Sequence, residues 1–382
     1  MLVAHVADTH INADATAATL DEQVAWLKWI GDDAAAQGAD LLVHAGDVFD
    51  GLSSPAERNA AIQVFTSWAE HFPVVVVYGN HDRPQDLDFL SALRSSCKIT
   101  VHDHPGHLNV AGLEVVTLPW PRKAHLVAAM GTTSALEATE TAKQAMQAVL
   151  SGLCAVLDGS KPSVLVGHVE LGMALTDSGQ PVAGKADIEL SEGDLSDVGT
   201  DAVLLGHIHK RQAFGKISYA GSPRQMTFGE DQLKGYQLVD VQRGKDPRIE
   251  FRASPARELV NVNLEWDAET AKLRPDAGED EAAMANVAGR AIRLRYEVQE
   301  TSRAQAGEQA DALRKTWLES GAHSVKIDAT VISTTRVRAE AVAKAKTTAE
   351  KLDAYWTARE QRPEREPQIL LKLRDLEAEV RS

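Results

Sequence analysis

Five short apolar runs in the first 209 residues each end in a side chain that can bind a metal ion. The runs are residues 3–7, 41–43, 74–77, 164–166 and 202–205. Their length and the glycines at their ends favour buried strands over helices. Because the carboxyl ends of parallel strands meet at one edge of a sheet, the side chains that follow are expected to converge there. The pattern therefore predicts an α/β fold with a polar site at a strand edge.

The side chains at these strand ends are carboxylates, imidazoles and one amide. They are Asp8, His10, Asp47, Asn80, His168, His207 and His209. Two divalent cations about 3.5 to 4 Å apart can clamp the attacking and leaving oxygens of a phosphate ester, and a shared carboxylate lets them approach so closely. Asp47 is the expected bridge. The mixed donor set favours Mn²⁺, Fe²⁺ or Zn²⁺ over Ca²⁺, which prefers oxygen ligands.

Each motif alone is uninformative, because a single G-H or D-x-H is more often a turn or a core histidine. Five motifs in the order D-x-H, G-D-x-x-D, G-N-H-D, G-H and G-H-x-H resemble the calcineurin-like binuclear metallophosphoesterase superfamily. Within it the chain is similar to the Mre11/SbcD group of nuclease subunits, through L-P-W-P-R at 118–122 and A-G-S-P-R at 220–224. The G-D-V-F-D segment resembles the SbcD form, with Asp50 where Mre11 proteins commonly carry a histidine.

The resemblance implies roles for side chains around the metals. His81 is expected to be the catalytic histidine that protonates the leaving oxygen or stabilises the phosphorane, with Asp82 orienting its imidazole. Mn²⁺ is the expected metal, with Mg²⁺, Fe²⁺ and Zn²⁺ as alternatives. Candidates for substrate binding are Asp50, Arg83, Arg122, Lys123, Lys210, Arg211 and Arg224. Plain solvation is the alternative for the basic residues, since most surface cations bind nothing.

Net charge limits how the chain can bind DNA. With 55 acidic and 40 basic side chains the formal net charge is -15. Broad neutralisation of backbone phosphates is therefore excluded, and DNA binding must be local or shared with a partner.

Composition is typical of a two-domain intracellular enzyme. The 382 residues are 44% hydrophobic, which is enough for two cores. Two cysteines, Cys97 and Cys154, make no disulfide framework and favour a reducing compartment. The chain enters its first strand at once and has no apolar run of membrane-spanning length, so we expect no signal peptide, no membrane association and a cytoplasmic location.

The resemblance predicts a metallophosphoesterase domain at residues 1–265, a four-layer α/β sandwich with mixed sheets. Within it, helices are expected at 16–37, from Pro55 to before His71, and at 134–157. An acidic stretch at 267–286 is predicted to be a linker or an exposed loop. A small α+β capping domain at 266–335 is expected next, with strands at 291–298 and 324–332 around a helix at 303–319; a generic accessory domain is the alternative. Residues 336–382 are expected to form helices at 337–360 and 367–381.

The leading functional hypothesis is a Mn²⁺-dependent DNA exonuclease and endonuclease subunit of an SbcCD or Mre11–Rad50-like complex, acting in DNA end processing, repair or recombination. The C-terminal helices would dock on an ABC-type ATPase of the SbcC/Rad50 kind, or else pack on the chain itself. Homodimerisation through helices near residues 55–95 is also implied. The alternatives are a stand-alone metallophosphoesterase on small phosphodiesters and a non-catalytic scaffold for DNA ends.

Overall fold

The computed structural model places the chain in two units. The first contains residues 1–260 and 289–291, and the second contains residues 261–288 and 292–382. The structure describes the chain except for residues 16, 123–125, 127–134, 177, 181–187, 231, 276–283, 285, 333–341, 343, 360, 361 and 382, and the side chains of 135–140, 358 and 377–381. Among the described residues, no helix is both long enough and apolar enough to cross a membrane.

Strands and helices alternate along the first unit. Its strands are β1 (Leu2–Val6), β2 (Leu41–His44), β3 (Val74–Val77), β4 (Ile99–His102), β5 (Gly106–Val110), β6 (Leu113–Leu118), β7 (Ser163–His168), β8 (Glu170–Leu171), β9 (Glu189–Leu190), β10 (Ala202–Gly206), β11 (Gln212–Phe214), β12 (Ile217–Tyr219), β13 (Gly235–Asp240) and β14 (Arg248–Ala253). Its helices are α1 (Leu20–Ala36), α2 (Pro55–Ala69), α3 (Ala135–Ala155) and α4 (Glu192–Ser196), with a 3₁₀ turn at Asp88–Ala92.

Most of these strands form two six-stranded mixed sheets. The first has the order β14-β13-β1-β2-β3-β4 and the second has the order β11-β12-β10-β7-β6-β5. The central strands are parallel, β1 to β2 to β3 in the first sheet and β6 to β7 to β10 in the second. Strands β8 and β9 pair separately. Parallel central strands bring their carboxyl ends to the same side, where the predicted site lies.

The two sheets pack face to face because their central strands are apolar on both sides. In β3, Val75 and Val77 belong to the core between the sheets, whereas Val74 and Val76 face the helices α1 and α2. The second sheet likewise shares its outer face with α3 and α4. The result is a four-layer α/β/β/α sandwich, which confirms the predicted fold class.

The first two helices begin at capping boxes. Thr19 accepts the N–H of Glu22, whose carboxylate accepts the N–H of Thr19. Ser54 and Glu57 repeat the arrangement, and Pro55 occupies the first helical position of α2. Such boxes satisfy two N–H groups that a helix start leaves without partners. Helix α1 begins at Leu20, directly after its cap, and not at the predicted Thr16. Helix α2 begins at Pro55, as predicted.

The second unit is built on a four-stranded sheet with the order β16-β15-β17-β18. Its elements are β15 (Leu259–Asp267), β16 (Lys272–Pro275), β17 (Ala291–Gln299), α5 (Arg303–Glu319), β18 (Ser324–Ile332), α6 (Thr348–Arg359) and α7 (Glu366–Arg381), with a 3₁₀ turn at Glu300–Ser302. Helix α5 packs against β16 and β18 and buries Trp317. The Gln309 side chain binds the Leu273 N–H and the Ala271 carbonyl oxygen.

Two predictions for this region were wrong. The proposed linker at 267–286 contains β16, which pairs with the end of β15; the charged residues there alternate along strands instead of forming an unstructured loop. The helix proposed for 337–360 is interrupted: residues 342 and 344 are helical, residues 345–347 are not, and the helix from Thr348 follows. The part of that helix at 337–341 lies outside the described residues, as does most of the proposed linker after Pro275.

Candidate metal centre

Residues from five strand ends meet at one side of the sandwich. Asp8 and His10 follow β1, Asp47 follows β2, and Asn80 follows β3, all in the first sheet. The other three come from the second sheet: His168 ends β7, and His207 and His209 follow β10. The donors therefore converge from two facing sheets, whereas the sequence predicted one edge of a single sheet. Facing sheets surround the site from two sides, which a single edge cannot do.

One group of donors contains Asp8, His10 and His209, whose candidate ligand atoms all lie within 4.8 Å of one another. The Nε2 atoms of His10 and His209 are only 3.1 Å apart. The Asp47 Oδ2 atom lies 3.7 Å from Nε2 of His10. Asp8 and His10 are buried, so this group is screened from solvent.

The second group is centred on Asn80 and His168. Nε2 of His168 lies 2.9 Å from Oδ1 of Asn80 and 3.3 Å from Oδ2 of Asp47. Nδ1 of His207 lies 3.0 Å from the same Asn80 oxygen. The Oδ2 atom of Asp47 thus lies between His10 of one group and His168 of the other, which is the position of a bridging ligand.

The arrangement of lone pairs fits bound cations. Nδ1 of His168 donates a hydrogen bond to the Ala45 carbonyl oxygen at 2.7 Å, so in the neutral ring Nε2 carries a lone pair. That lone pair faces a carboxylate oxygen of Asp47 and an amide oxygen of Asn80. Acceptors so close repel one another unless a positive charge, that of a metal ion or of a proton on the imidazole, lies among them. Imidazole, carboxylate and amide donors with one shared carboxylate suit two divalent metal ions.

The pKa values show that the site favours positive charge. Burial alone would lower the pKa of His168, but the charges of Asp47 and Asp8 raise it to about 9. Burial would raise the pKa of Asp47, yet the charge of His168 holds it well below its usual range. Burial lowers the pKa of His207 to about 3, so this ring is neutral and keeps a lone pair for a ligand.

The backbone around the donors is tightly folded. Four of the seven donors adopt positive φ angles, Asp8 (52°), His10 (41°), Asp47 (56°) and His207 (104°). Residues other than glycine rarely adopt this left-handed backbone conformation, and such strain concentrates at functional sites. Gly79 shows why glycine precedes a donor, because a Cβ there would lie 2.1 Å from Oδ1 of Asp47.

Asp82 ties two of these loops together. Its buried carboxylate accepts the N–H groups of Asp47, Val48, Phe49 and Gly79 at 2.8 to 3.1 Å. The sequence predicted that Asp82 orients the His81 imidazole, and the structure does not bring the two side chains together. These four hydrogen bonds use both oxygens of the Asp82 carboxylate. Asp82 therefore holds the Asp47 and Asn80 loops in place and does not orient His81.

His81 stands at the open side of the centre. Its backbone N–H donates to Oδ1 of Asp47 at 2.8 Å, and its ring is 43% exposed. The acid beside the ring is Asp50, with Oδ1 3.4 Å from Nδ1 of His81 and 3.3 Å from Nδ1 of His10. Asp50 therefore lies against two imidazoles, which contrasts with its predicted place in substrate binding.

The cations predicted to receive substrate phosphates divide into two sets. Arg83 is exposed and Lys210 is half-buried. The others have partners within the fold: Arg122 donates to the Asp82 carbonyl oxygen, Arg211 lies over the Phe251 ring and Arg224 is buried against His10. Buried Arg224 is thus not open to a substrate. Lys123 lies outside the described residues.

Two further side chains border the donors and were not predicted. The Trp120 ring lies 4.8 Å from the His207 ring and 5.9 Å from that of His168, between centroids. Buried Glu170 places Oε2 3.6 Å from Nε2 of His207. Both residues stand in motifs that the sequence supplies, L-P-W-P-R and G-H-V-E, but only the packing of β6, β7 and β10 places them beside a donor.

The chain belongs to the calcineurin-like phosphoesterase family, whose model matches residues 1–211. Family and donor set together make it a metal-dependent hydrolase of phosphate esters. More particularly, it is similar to proteins described as the SbcD subunit of the SbcCD nuclease. That of Staphylococcus epidermidis is 25% identical over 287 residues, 70% of this chain and 73% of the relative. That of Rhodobacter capsulatus is 28% identical over 281 residues, 65% and 68% of the two chains.

Among solved structures, the chain resembles a dimetal phosphatase from Danio rerio. The alignment has a TM-score of 0.42 and 12% sequence identity, and covers 66% of this chain and 96% of the phosphatase.

Proposed function

We propose that this chain is the nuclease subunit of an SbcCD-like complex and that it hydrolyses DNA phosphodiester bonds with two Mn²⁺ ions in DNA end processing, repair or recombination. The observation that carries the proposal is the convergence of seven donors around one Asp47 carboxylate. Relatives described as the SbcD subunit of a nuclease support the choice of DNA as substrate.

In this proposal each ion has its own donors and Asp47 is common to both. The first ion would be held by Asp8, His10, His209 and Asp47, and the second by Asn80, His168, His207 and Asp47. When bound, such ions lower the pKa of water and neutralise charge on the phosphate. Burial lowers the pKa of His207 to about 3, so this ring is neutral and ready to bind, whereas a metal ion at His168, whose pKa is raised to about 9, would have to displace a proton.

His81 is the proposed proton donor to the leaving oxygen. It is the exposed imidazole at the site, and its main chain is fixed to Asp47. Asp50, against Nδ1, leaves Nε2 of His81 free to face the substrate. A general acid placed in this way supplies a proton where negative charge develops.

DNA contact is proposed to be local. Arg83, which is exposed, and Lys210, which is half-buried, flank the donors, and the net charge of -15 argues against a broad phosphate-binding surface. Arg122 and Arg211 keep partial exposure and can add to this contact. The remaining affinity is assigned to the ATPase partner.

The C-terminal region is proposed to dock that partner, an ABC-type ATPase of the SbcC/Rad50 kind. Helix α7 exposes Ile369, Leu371 and Leu376 by 38%, 64% and 50%. Apolar groups left in solvent on one helix are typical of a surface that is covered by another protein. In this division of the chain residues 1–265 are the nuclease domain, 266–335 the capping domain and 336–382 the docking segment.

Homodimerisation remains a prediction of the family resemblance. Across residues 55–95, all of which the structure describes, no large hydrophobic side chain is exposed. A dimer built on this region would therefore depend on polar and partly buried groups. Light scattering of the purified chain measures the oligomeric state directly.

One observation favours the second candidate, a phosphodiesterase acting alone on small substrates. Three of the predicted phosphate-binding arginines have partners within the fold, which leaves few cations for a long polyanion. Such an enzyme would need neither an ATPase nor DNA.

The deciding experiment compares substrates under one set of metal conditions. The purified chain is incubated with linear DNA, hairpin DNA and bis-p-nitrophenyl phosphate, with Mn²⁺ or Mg²⁺, with and without the candidate ATPase. We expect Mn²⁺-dependent cleavage of both DNAs, which the ATPase makes dependent on ATP for linear ends. Hydrolysis of the small ester with no cleavage of DNA would establish the second candidate instead. Asp47→Ala is the inactive control.

A further inference from the structure

Two buried cations lie directly behind one donor group. Arg224 and Lys234 are each only 8% exposed. Nη2 of Arg224 donates to the carbonyl oxygen of His10 at 2.9 Å, and Nζ of Lys234 donates to the carbonyl oxygen of His209 at 2.9 Å. These are the two histidines whose Nε2 atoms lie 3.1 Å apart. We call Arg224 and Lys234 together the cation clamp.

Burying a cation is energetically unfavourable, so the groups around a buried cation show what stabilises it. Removing a guanidinium or an ammonium from water is unfavourable unless charges and acceptors replace the water. Nε of Arg224 finds no hydrogen-bond partner among the described residues. Its Nη2 donates to the carbonyl oxygen of His10, a predicted metal ligand, and the charges of Glu230 and Asp50 favour the guanidinium.

The clamp is itself held rigidly. Lys234 pairs with buried Glu230 at 2.7 Å, and Oε1 of Glu230 also accepts the N–H groups of Met226 and Thr227. The hydroxyl of Ser222 donates to the Arg224 carbonyl oxygen at 2.9 Å. Such a network fixes where the two cations can reach.

The same segment approaches His209 through its backbone. Ser222 N–H donates to the His209 carbonyl oxygen at 3.1 Å, so this oxygen accepts two bonds. Gly221 has a φ of 73°, and a Cβ there would lie 2.7 Å from that oxygen. Residues 221–222 therefore pack closely against the peptide group of His209.

What the clamp fixes is the direction of two imidazoles. His10 has a φ of 41°, a conformation that its backbone leaves readily unless other contacts hold it. Rotation of either peptide plane would swing Nε2 away from its neighbour. Two charged bonds of about 2.9 Å, one on each peptide, oppose that rotation.

We propose that Arg224 and Lys234 are positioning residues that hold His10 and His209 together for one metal ion, and so set the affinity of that ion relative to the second. The inference rests on the proposed function in that it takes the two histidines as metal ligands. It replaces the predicted contact of Arg224 with substrate, and it gives Lys234 a role that no sequence motif indicated.

The test measures Mn²⁺ binding to metal-free protein by titration calorimetry, and the coupling between the two ions by electron paramagnetic resonance. In Arg224→Gln and Lys234→Gln we expect one Mn²⁺ to bind about 10- to 100-fold more weakly, while the other keeps its Kd. At intermediate Mn²⁺ the spectrum should change from that of a coupled pair to the six lines of a single ion.

Lys216→Gln is the matched control, because Lys216 also donates to two backbone carbonyl oxygens, those of Ser196 and Thr200, but to no donor residue. It should leave both Kd values unchanged. Where a Gln variant fails to fold, Arg224→Lys and Lys234→Arg keep the charge and alter the reach, and should weaken the same ion to a smaller extent.

The outcomes separate the inference from the function on which it rests. Unchanged Kd values and a coupled spectrum in all folded clamp variants would overturn the clamp alone. Equal weakening of both ions would make the residues merely structural and would also overturn it. Failure of the wild-type chain to bind two Mn²⁺ ions would instead sink the proposed function.

Discussion

Asp47 connects the two groups of donors with the loop that carries His81. Its Oδ2 faces His10 and His168, and its Oδ1 accepts the N–H of His81. Removal of this carboxylate should therefore affect both metal positions, whereas removal of the His81 ring should affect neither. The two residues make different contributions to the same reaction.

This difference can be measured. We expect Asp47→Ala to lose bound metal and all cleavage, because it removes a ligand shared by both ions. His81→Ala should keep two metals per chain and lose about 10²- to 10⁴-fold in turnover, the usual contribution of a general acid. Metal content by mass spectrometry and cleavage rates on DNA check both statements. Equal metal loss in the two variants would contradict the assignment of roles.

Asp82 gives a second prediction at this scale. Asp82→Asn replaces one of the two acceptor oxygens with a donor that faces N–H groups, and should lower the free energy of unfolding by roughly 3 kcal/mol. Denaturant unfolding measures the change. Exposed Asp103→Asn is the control and should alter stability little. A stability loss in the control of the same size would mean that the backbone bonds of Asp82 are not its source.

Residue roles were harder to predict than residue positions. The seven donors could be read from strand ends because each motif is local in sequence. The partners of Asp82 and Arg224 could not, since Arg224 and His10 lie 214 residues apart. The sequence around an arginine beside a metal motif does not show whether its side chain is buried or faces substrate. Only the packing of the folded chain distinguishes the two cases.

At the scale of elements, apolar periodicity predicted the first unit well and the second less well. Helix α1 buries Val24, Leu27 and Ile30, as their spacing indicates. Strand β16 was missed because it is short and carries two charged residues, Lys272 and Arg274, and the acidic, alanine-rich composition of 267–286 favoured a linker. A long helix shows its apolar period over several turns, so it is predicted even when its composition is mixed. A short exposed strand has too few residues to show a period.

The start of α1 carries a testable ion pair. Glu22 closes the capping box with Thr19, and the Arg257 guanidinium binds its carboxylate. The hydrogen bond from Arg257 lowers the pKa of Glu22 from 4.5 to about 2. A depressed carboxyl pKa stabilises the fold at pH values above the unfolded pKa, and this stability is lost as the pH falls through the folded value.

We therefore expect Glu22→Gln to lower the melting temperature by a few degrees at pH 7. The difference from the wild type should shrink between pH 4.5 and pH 2, as Glu22 becomes protonated. Asp21→Asn, an exposed acid in the same helical turn, should show a smaller effect. Thermal unfolding across this pH range checks the trend, which a constant difference would contradict.

At the scale of the whole molecule, large hydrophobic side chains are exposed in both units, for example Leu52 (74%) in the first and Leu371 (64%) in the second. In the second, Trp356 is buried at 7% exposure while the neighbouring Tyr355 is 44% exposed. A truncation meant to test docking should therefore spare α6 and act on α7.

The prediction for α7 uses point variants. Leu371→Asp combined with Leu376→Asp should leave Mn²⁺-dependent cutting of single-stranded DNA unchanged and weaken binding of the ATPase at least about tenfold, because charge replaces apolar contact. Lys372→Ala is the control on the same helix. Pull-down and calorimetry with the ATPase measure binding. Unchanged affinity in the double variant would place the docking surface elsewhere.

The left-handed backbone at Asp8, His10, Asp47 and His207 has a consequence for how such chains diverge. Each of these positions carries a conformational penalty of about 1 to 3 kcal/mol that glycine would avoid. Descendants that no longer need hydrolysis would gain stability by replacing these residues, His207 above all, with glycine or asparagine. A degenerate copy of this enzyme should therefore be recognised first by glycines at these corners, while its sheets and helices stay intact.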